Sequence, residues 1–276
     1  MQSTSRFRFM KSRHVARITA LHATMNDFQY DRHAHEEYAL GVTLAGRQDF
    51  FSNGEFHRSP PGSVITLHPD EVHDGHAGGG DALDYVMLYI HPDELDPLIA
   101  NAMGVQGLQA TRLAPTLMKD VPLRDEIIAL SRMIEEQETS QIEQEYALYR
   151  IAAHLAERAG NFAPNERARR PDSLLERAKD FIHENARYDI SLDDISHSAN
   201  ISKYHFLRTF RTQYGITPHQ YVLNCRVNAA RRHLENGESV MEAALCCGFS
   251  DLSHFNRRFK RIYGMTPRQY QAHIFT

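Results

Sequence analysis

The spacing of apolar and polar residues changes twice along this chain. Between Gln29 and about Ile90 the period is two. Tyr38-Ala39-Leu40-Gly41-Val42-Thr43-Leu44 alternates larger apolar residues with small ones, and Ser63 to Leu67 (SVITL) and Tyr85 to Ile90 (YVMLYI) are short apolar runs. Ala45-Gly46, Asn53-Gly54, Pro60-Pro61-Gly62 and Pro69-Asp70 punctuate them. Short period-two runs between turn signals predict an antiparallel barrel or sandwich, over about residues 20–92. From Leu123 to Ala159 the period is helical. Ile127, Leu130 and Ile134, then Ile142, Tyr146, Tyr149 and Ala153, predict two helices broken near Thr139-Ser140, within a helical stretch of about 93–160. Gly160 to Asp172 (GNFAPNERARRPD) mixes Gly, Pro and charge as an exposed linker does.

Everything after the linker is predicted helical, starting with the amphipathic run Leu174 to Asn185 (LLERAKDFIHEN), and its organisation is a repeat. Ser202 to Tyr221 (SKYHFLRTFRTQYGITPHQY) matches Asp251 to Tyr270 (DLSHFNRRFKRIYGMTPRQY) at an offset of 49, as for Phe210 and Phe259 (259 − 210). The short helices before them carry the stripes Leu192, Ile195, Ala199 and Val240, Ala243, Cys247, offset by 48 (240 − 192), so the second turn holds one extra residue around Asp251. Gly248 suits that turn because glycine adopts a positive φ at little cost. Between the copies, Val227, Ala230 and Leu234 share one face of a linking helix that Asn236-Gly237 ends. Thr217-Pro218 and Thr266-Pro267 predict helix starts, with Pro in the first turn and Thr as the cap.

A turn of about 100° per residue sorts the second helix of each copy. Phe206, Phe210 and Gln213 share the inward face of the first, while Tyr204, Arg208 and Arg211 point outward with Leu207 at the flank. In the second, Phe255, Phe259 and Ile262 point inward; Ser253, Arg257 and Lys260 point outward with Asn256 at the flank. A charged helix face is ordinarily just solvated. Here both copies are polar or basic at the same outward positions and neither face carries an acid, which favours a surface that meets DNA. Phosphate contacts from Lys and Arg fix position, arginine pairs with guanine edges, asparagine reads adenine, and Leu207 suits a thymine methyl.

Charge sharpens the division. Residues 1–165 carry 14 basic and 23 acidic side chains, and residues 166–276 carry 17 and 12, so balances of −9 and +5 hide within the overall −4. Only the second part is expected to meet a polyanion. No apolar run approaches the roughly 20 residues that span a bilayer, and the first residues (MQSTSRFRFMKSRHVARI) lack a secretory hydrophobic stretch. Three cysteines without paired spacing, Cys225, Cys246 and Cys247, fit a reducing, cytoplasmic compartment and are expected as small buried side chains.

At Gly248-Phe249-Ser250, Ser253-His254-Phe255, Arg257, Phe259-Lys260 and Tyr263-Gly264-Met265-Thr266-Pro267-Arg268-Gln269-Tyr270 the chain resembles the AraC/XylS transcriptional regulators, over residues 174–271. The resemblance implies an α+β two-domain protein. A cupin-like antiparallel β-barrel with supporting helices would occupy residues 1–160 as the effector-binding and dimerisation domain. A linker at 161–172 would lead to two helix-turn-helix units joined by a linker helix at 173–276. By position it implies base-facing roles for Tyr204, Leu207 and Arg208, and for Leu252, Ser253, Asn256 and Arg257. Lys203, Arg211 and Lys260 join them as DNA contacts. The implied partners are promoter DNA, a small-molecule effector, a second copy of the chain and RNA polymerase, often with an activating outcome. Copy one is expected to do much of the sequence reading, and copy two to add Arg257 and a stronger backbone grip.

The first half is rich in histidine. His33, His35 and Glu37 alternate, so an extended strand points them to one face, and His68, His73 and His76 flank or follow Pro69. Imidazoles and a carboxylate suit zinc or iron, which makes a metal-dependent cupin enzyme the rival reading. Against it, the cupin metal motif places its Glu farther beyond the second His than Glu37 lies from His35, and His73 is one residue too close to Pro69. The histidines are otherwise effector ligands or satisfied structural groups. His33, His35, Tyr38, His73 and Tyr89 are the effector-pocket candidates; no metal, cofactor or catalytic residue is expected. Neither a phosphate-cradling Gly-rich loop nor a G-x-S-x-G elbow is present.

Overall fold

A computed structural model describes residues 5–106, 112–137, 139–161 and 173–275. They divide into two compact units. The first comprises Met1–Gln29, Glu36–Asp70 and Gly75–Pro164; the second comprises Asn165–Thr276 together with the short segments Tyr30–His35 and Glu71–Asp74. The linear sequence does not anticipate that grouping of the two short segments.

Among the described residues, ten strands form two sheets. In chain order they are β1 (Arg6–Lys11), β2 (Ile18–Met25), β3 (Gln29–His33), β4 (Tyr38–Ala45), β5 (Gln48–Ser52), β6 (Glu55–Ser59), β7 (Val64–Leu67), β8 (His73–Ala77), β9 (Leu83–Ile90) and β10 (Leu117–Met118). One sheet runs β1-β2-β9-β4-β7-β10 and the other β3-β8-β5-β6, consistent with a cupin-like jelly roll whose sheets are not closed into one. The sheet begins earlier than residue 20: Arg6-Phe7-Arg8-Phe9-Met10-Lys11 alternates in period two and pairs antiparallel with β2.

Antiparallel register decides which face each residue takes. Tyr38, Leu40 and Val42 stand opposite Ile90, Leu88 and Val86. With Ile18, Ala20 and Val64 they form the face packed by helices α1 (Pro92–Met103), α2 (Val121–Glu136) and α3 (Gln141–Asn161). Leu95 and Ile99, then Leu123, Ile127, Leu130 and Ile134, then Leu148, Ile151 and Leu155 cover it. The odd-numbered partners Leu21, Ala39, Ile65, Tyr85 and Met87 face the other way and are also buried. The central strands are covered on both faces, which is why they read as nearly continuous apolar runs. A Cβ on Gly41 would lie 2.7 Å from the Met87 sulfur, so a side chain there would force the Met87 thioether to move.

The break between α2 and α3 falls where the sequence predicts it, with Gln137 in the left-handed region and Ser140 bonded to Glu143. The predicted stripe on α3 does not face the core. Ile142, Tyr146 and Tyr149 are 73, 60 and 44% exposed, and Ala147, Leu148, Ile151, Ala152 and Leu155 are buried instead. α3 continues through Asn161, and residues 162–172, the remainder of the predicted linker, lie outside the described residues.

The second unit is built on α4 (Ser173–Asn185), α5 (Leu192–Ser198), α6 (Lys203–Tyr214), α7 (Pro218–Glu235), α8 (Val240–Cys246), α9 (Leu252–Tyr263) and α10 (Pro267–Ile274). The sequence repeat becomes a repeat of aromatic packing. Ring centroids of Phe206–Phe210 and Phe255–Phe259 are 5.3 and 5.6 Å apart, those of Phe210–Tyr214 and Phe259–Tyr263 both 4.6 Å, and those of Phe210–Tyr221 and Phe259–Tyr270 5.6 and 5.5 Å. Thr217 and Thr266 cap α7 and α10 in full capping boxes with Gln220 and Gln269, as predicted from the Thr-Pro pairs. The extra residue of copy two lies in the turn, five residues between α8 and α9 against four between α5 and α6 (247–251 and 199–202).

Phe259 touches Phe255, Tyr263 and Tyr270 and is fully buried. Phe259→Ala is expected to lower the unfolding free energy of this unit by about 3–5 kcal/mol, through lost burial and the cavity left behind. Urea denaturation followed by circular dichroism measures it; a loss below about 1 kcal/mol would contradict the packing described.

Candidate nucleic-acid interface

Fixing the phenylalanines inward fixes what points outward, since positions three and four apart share a helix face. On α6, Tyr204, Arg208 and Arg211 are exposed, Tyr204 to 85%, and Leu207 is half-buried at the flank. On α9, Ser253, Arg257 and Lys260 are exposed while Leu252 and Asn256 are half-buried. Neither helix contains an Asp or Glu. Lys203, at the start of α6, is held by Asp193 of α5 at 2.6 Å, so its charge is compensated within the unit. The basic run of α9 is not uniform either. Arg258 is half-buried with its Nε directed at the His254 ring nitrogen at 3.3 Å, whereas Arg257, Lys260 and Arg261 are exposed.

The two helices start differently. Asp251 caps α9, accepting from the Ser253 and His254 backbone N–H groups at 2.9 Å each, and these bonds hold its carboxyl below the usual range. Ser202 makes no such side-chain cap on α6. Sequence reasoning missed the Asp251 cap, although Asp before a helical run is its usual signal.

Gly248 has φ +81°, as the turn requires, and its Cβ would lie 2.4 Å from the Arg187 carbonyl oxygen, so only glycine fits. Of the cysteines, Cys247 is buried, which pushes its thiol up to about 11, and Cys225 is half-buried. Cys246 is exposed, contrary to the expectation for all three, because it lies on the outer side of a seven-residue helix.

A family model described as "Helix-turn-helix domain" matches residues 195–273, and one described as "AraC-like ligand binding domain" matches residues 15–152. The chain belongs to the AraC family of transcriptional regulators. It is 28% identical over 229 residues to the uncharacterized HTH-type transcriptional regulator YbfI of Bacillus subtilis, covering 82% of this chain and 81% of that one. It is 25% identical over 223 residues to a XylDLEGF operon transcriptional activator of Pseudomonas putida, covering 78% and 68% of the two chains. In fold it is similar to ToxT from Vibrio cholerae, with a TM-score of 0.61 over 98% of this chain and 97% of that one at 12% identity. This AraC-family chain therefore pairs an N-terminal ligand-binding domain with a C-terminal helix-turn-helix DNA-binding domain.

The five residues singled out from sequence for the ligand-binding part separate into two groups. His33, His35 and His73 come together in the second unit, all buried, with ring centroids 4.4 Å (His33–His73), 4.9 Å (His35–His73) and 6.1 Å (His33–His35) apart. His33 and His73 each donate an Nδ1–H to a backbone carbonyl two residues earlier, Asp31 at 2.8 Å and Glu71 at 2.7 Å. Among the described residues, no group of three or more His, Cys, Asp or Glu is arranged to hold a metal ion. Tyr38 and Tyr89 lie in the first unit on opposite faces of the sheet, because Tyr38 is opposite Ile90 and Tyr89 is opposite Ala39. Tyr38 faces the helices, and its hydroxyl donates to Asp96 of α1 at 2.9 Å. Burial, then the Asp96 charge, pushes that hydroxyl well up. Tyr38 thus packs between the sheet and α1, and Tyr89 is half-buried against Phe9 on the other face.

Burial, then repulsion from a neighbouring imidazole, lowers both His33 and His73 to about 3. A lowered histidine is neutral in the folded chain while the unfolded chain takes up a proton below about 6.5. Stability is therefore complete above pH 6.5 and falls as pH drops towards 3. Melting temperatures between pH 7.5 and 4.5 are expected to fall more steeply for the native chain than for His73→Phe; parallel curves would contradict the assignment.

Proposed function

We propose that the chain is a cytoplasmic, effector-responsive activator that binds promoter DNA as a dimer through α6 and α9, with domains at 1–160 and 173–276 and a linker at 161–172. The observation that carries the DNA reading is the pair of outward faces, Tyr204, Arg208, Arg211 and Ser253, Arg257, Lys260, exposed and without an acid. The two helices enter successive major grooves, about one turn of duplex apart. Leu207 and Asn256 contribute apolar and amide contacts from the flanks, Leu252 closes the edge of α9, and Arg211 and Lys260 contact phosphates. Lys203 contributes least, because Asp193 already compensates it. Copy one reads much of the sequence; copy two adds Arg257 and a backbone grip from Lys260 and Arg261.

The effector site lies on the inner face of the six-stranded sheet, where Phe9, Tyr85, Met87 and Tyr89 supply apolar bodies and two hydroxyls. Such a lining favours an apolar molecule with one polar end. ToxT, of the same fold, has been solved with an unsaturated fatty acid bound, which supports an effector of that character. The chemistry is binding, with no catalytic step and no metal. His33, His35 and His73 serve as structural or effector-sensing imidazoles. Ile142, Tyr146 and Tyr149 form the contact with a second copy, since an exposed apolar stripe repeated along one helix suits a two-fold interface. RNA polymerase is the partner through which activation proceeds.

Three measurements test this reading. Arg257→Ala is expected to weaken specific operator binding about 10- to 100-fold while changing nonspecific binding little, the cost of one bidentate base contact; equal loss on both DNAs would remove its base-reading role. Tyr146→Asp is expected to shift the chain from dimer to monomer in sedimentation velocity, and an unchanged dimer would place the interface elsewhere. A thermal-shift panel of fatty acids, aromatic carboxylates and sugars on the full chain is expected to favour the first two classes, since a ligand of the folded state raises its melting temperature.

A further inference from the structure

The linking helix α7 carries one arginine that the repeat alone does not account for. Arg226 uses all three guanidinium nitrogens on backbone carbonyls: Nε donates to Ala186 at 2.6 Å, Nη2 to Tyr188 at 2.8 Å and Nη1 to Gly248 at 2.8 Å. Ala186 and Tyr188 follow the end of α4, which belongs to copy one; Gly248 follows the end of α8, in copy two. Helix ends leave carbonyls without intrahelical partners and carry the negative end of the helix dipole, and a planar guanidinium with five donors matches several such oxygens at once.

The repeat supplies an internal control. Arg177 of α4 stands 49 positions before Arg226, and the buried residues Leu175, Ala178, Lys179 and Ile182 of α4 correspond at the same offset to Asn224, Val227, Asn228 and Arg231 of α7 (224 − 175). Arg177 bonds at 3.5 Å to Ala199, whose counterpart at the helix offset of 48 is Cys247, the residue before Gly248. One bond from the pre-helix to the turn of its own copy is therefore common to both repeats. The bonds to Ala186 and Tyr188 are additional in copy two, and they run between the copies. The backbones also meet there, because Gly248 has no room for a side chain beside the Arg187 carbonyl.

We propose that Arg226 is a positioning residue for DNA recognition: by tying the end of α4 to the turn before α9, it sets the separation and angle of the two recognition helices. It thereby sets the spacing between the two blocks of bases that one chain accepts. This rests on the reading that both α6 and α9 contact bases.

In vitro selection from a random duplex library, with the full-length native chain and with Arg226→Lys, Arg226→Gln and Arg177→Gln, tests it. The native chain is expected to return, within the half-site of each chain, two base blocks at one fixed separation. Both Arg226 variants are expected to return the same two blocks with the separation spread by a base pair or two. They should bind the native spacing about tenfold more weakly, and a duplex carrying one block about as well as the native chain does. Arg177→Gln is expected to keep the single native separation. Arg226 variants that keep that separation, or that lose base identity within a block, would overturn the proposal. Arg226→Lys retains the charge but gathers its donors on a single nitrogen, so it reports spacing even where Arg226→Gln does not fold. A native chain that returned a single block would instead overturn the two-helix reading itself, and the two failures are visible in different samples.

Discussion

Two buried phenylalanines on each of α6 and α9 constrain the rest of the DNA-binding unit. Phe206 and Phe210, and Phe255 and Phe259, occupy the inward face, and each second phenylalanine meets a tyrosine one turn on and another at the start of the next helix. A helix whose inward face is fixed has no rotational freedom left, so Tyr204, Arg208 and Arg211 and their counterparts must point to solvent. Rigid presentation is what a base-reading side chain needs, because hydrogen bonds to base edges tolerate little misplacement. The polar ends of the tyrosine anchors differ between the copies, with Tyr221 meeting His183 at 2.8 Å and Tyr270 meeting Glu235 at 2.7 Å.

Much of this unit was legible in the sequence because the information is local. Helical period, Thr-Pro starts and the Gly248 turn act within a few residues, and the offset of 48 changing to 49 located the longer turn without coordinates. Arg226 was not legible for the opposite reason. Its partners are backbone carbonyls at positions 186, 188 and 248, and a carbonyl leaves no mark on residue identity. The Lys203–Asp193 pair escaped for a related reason: the exposed face of α6 contains no acid, and the compensating charge sits on the helix before it.

In the N-terminal part, strand existence was legible and side assignment was not. Tyr38 and Tyr89 look alike in sequence, each an aromatic at one end of an apolar run. One step of antiparallel register sends them to opposite faces, and a two-residue period allows no intermediate outcome. The histidines show the converse. His33 and His35 were expected on one face of an extended strand, and they do adjoin. Burial, then the neighbouring His73 imidazole, lowers His33, which suits a neutral hydrogen-bonding group.

The stripe on α3 shows what hydrophobic period does and does not say. Ile142, Tyr146 and Tyr149 have the spacing of a core-facing helix, yet they are the exposed side, and the true inward face is carried by Ala147, Leu148, Ile151, Ala152 and Leu155. Period reports that a face is apolar; it does not report which apolar face meets the chain's own core. With apolar residues on both sides, α3 packs against α1 and α2 on one side only. An amphipathic helix needs just one such face to fold, so the second is not required by the chain's own core, and that is the physical ground for the contact between copies proposed above.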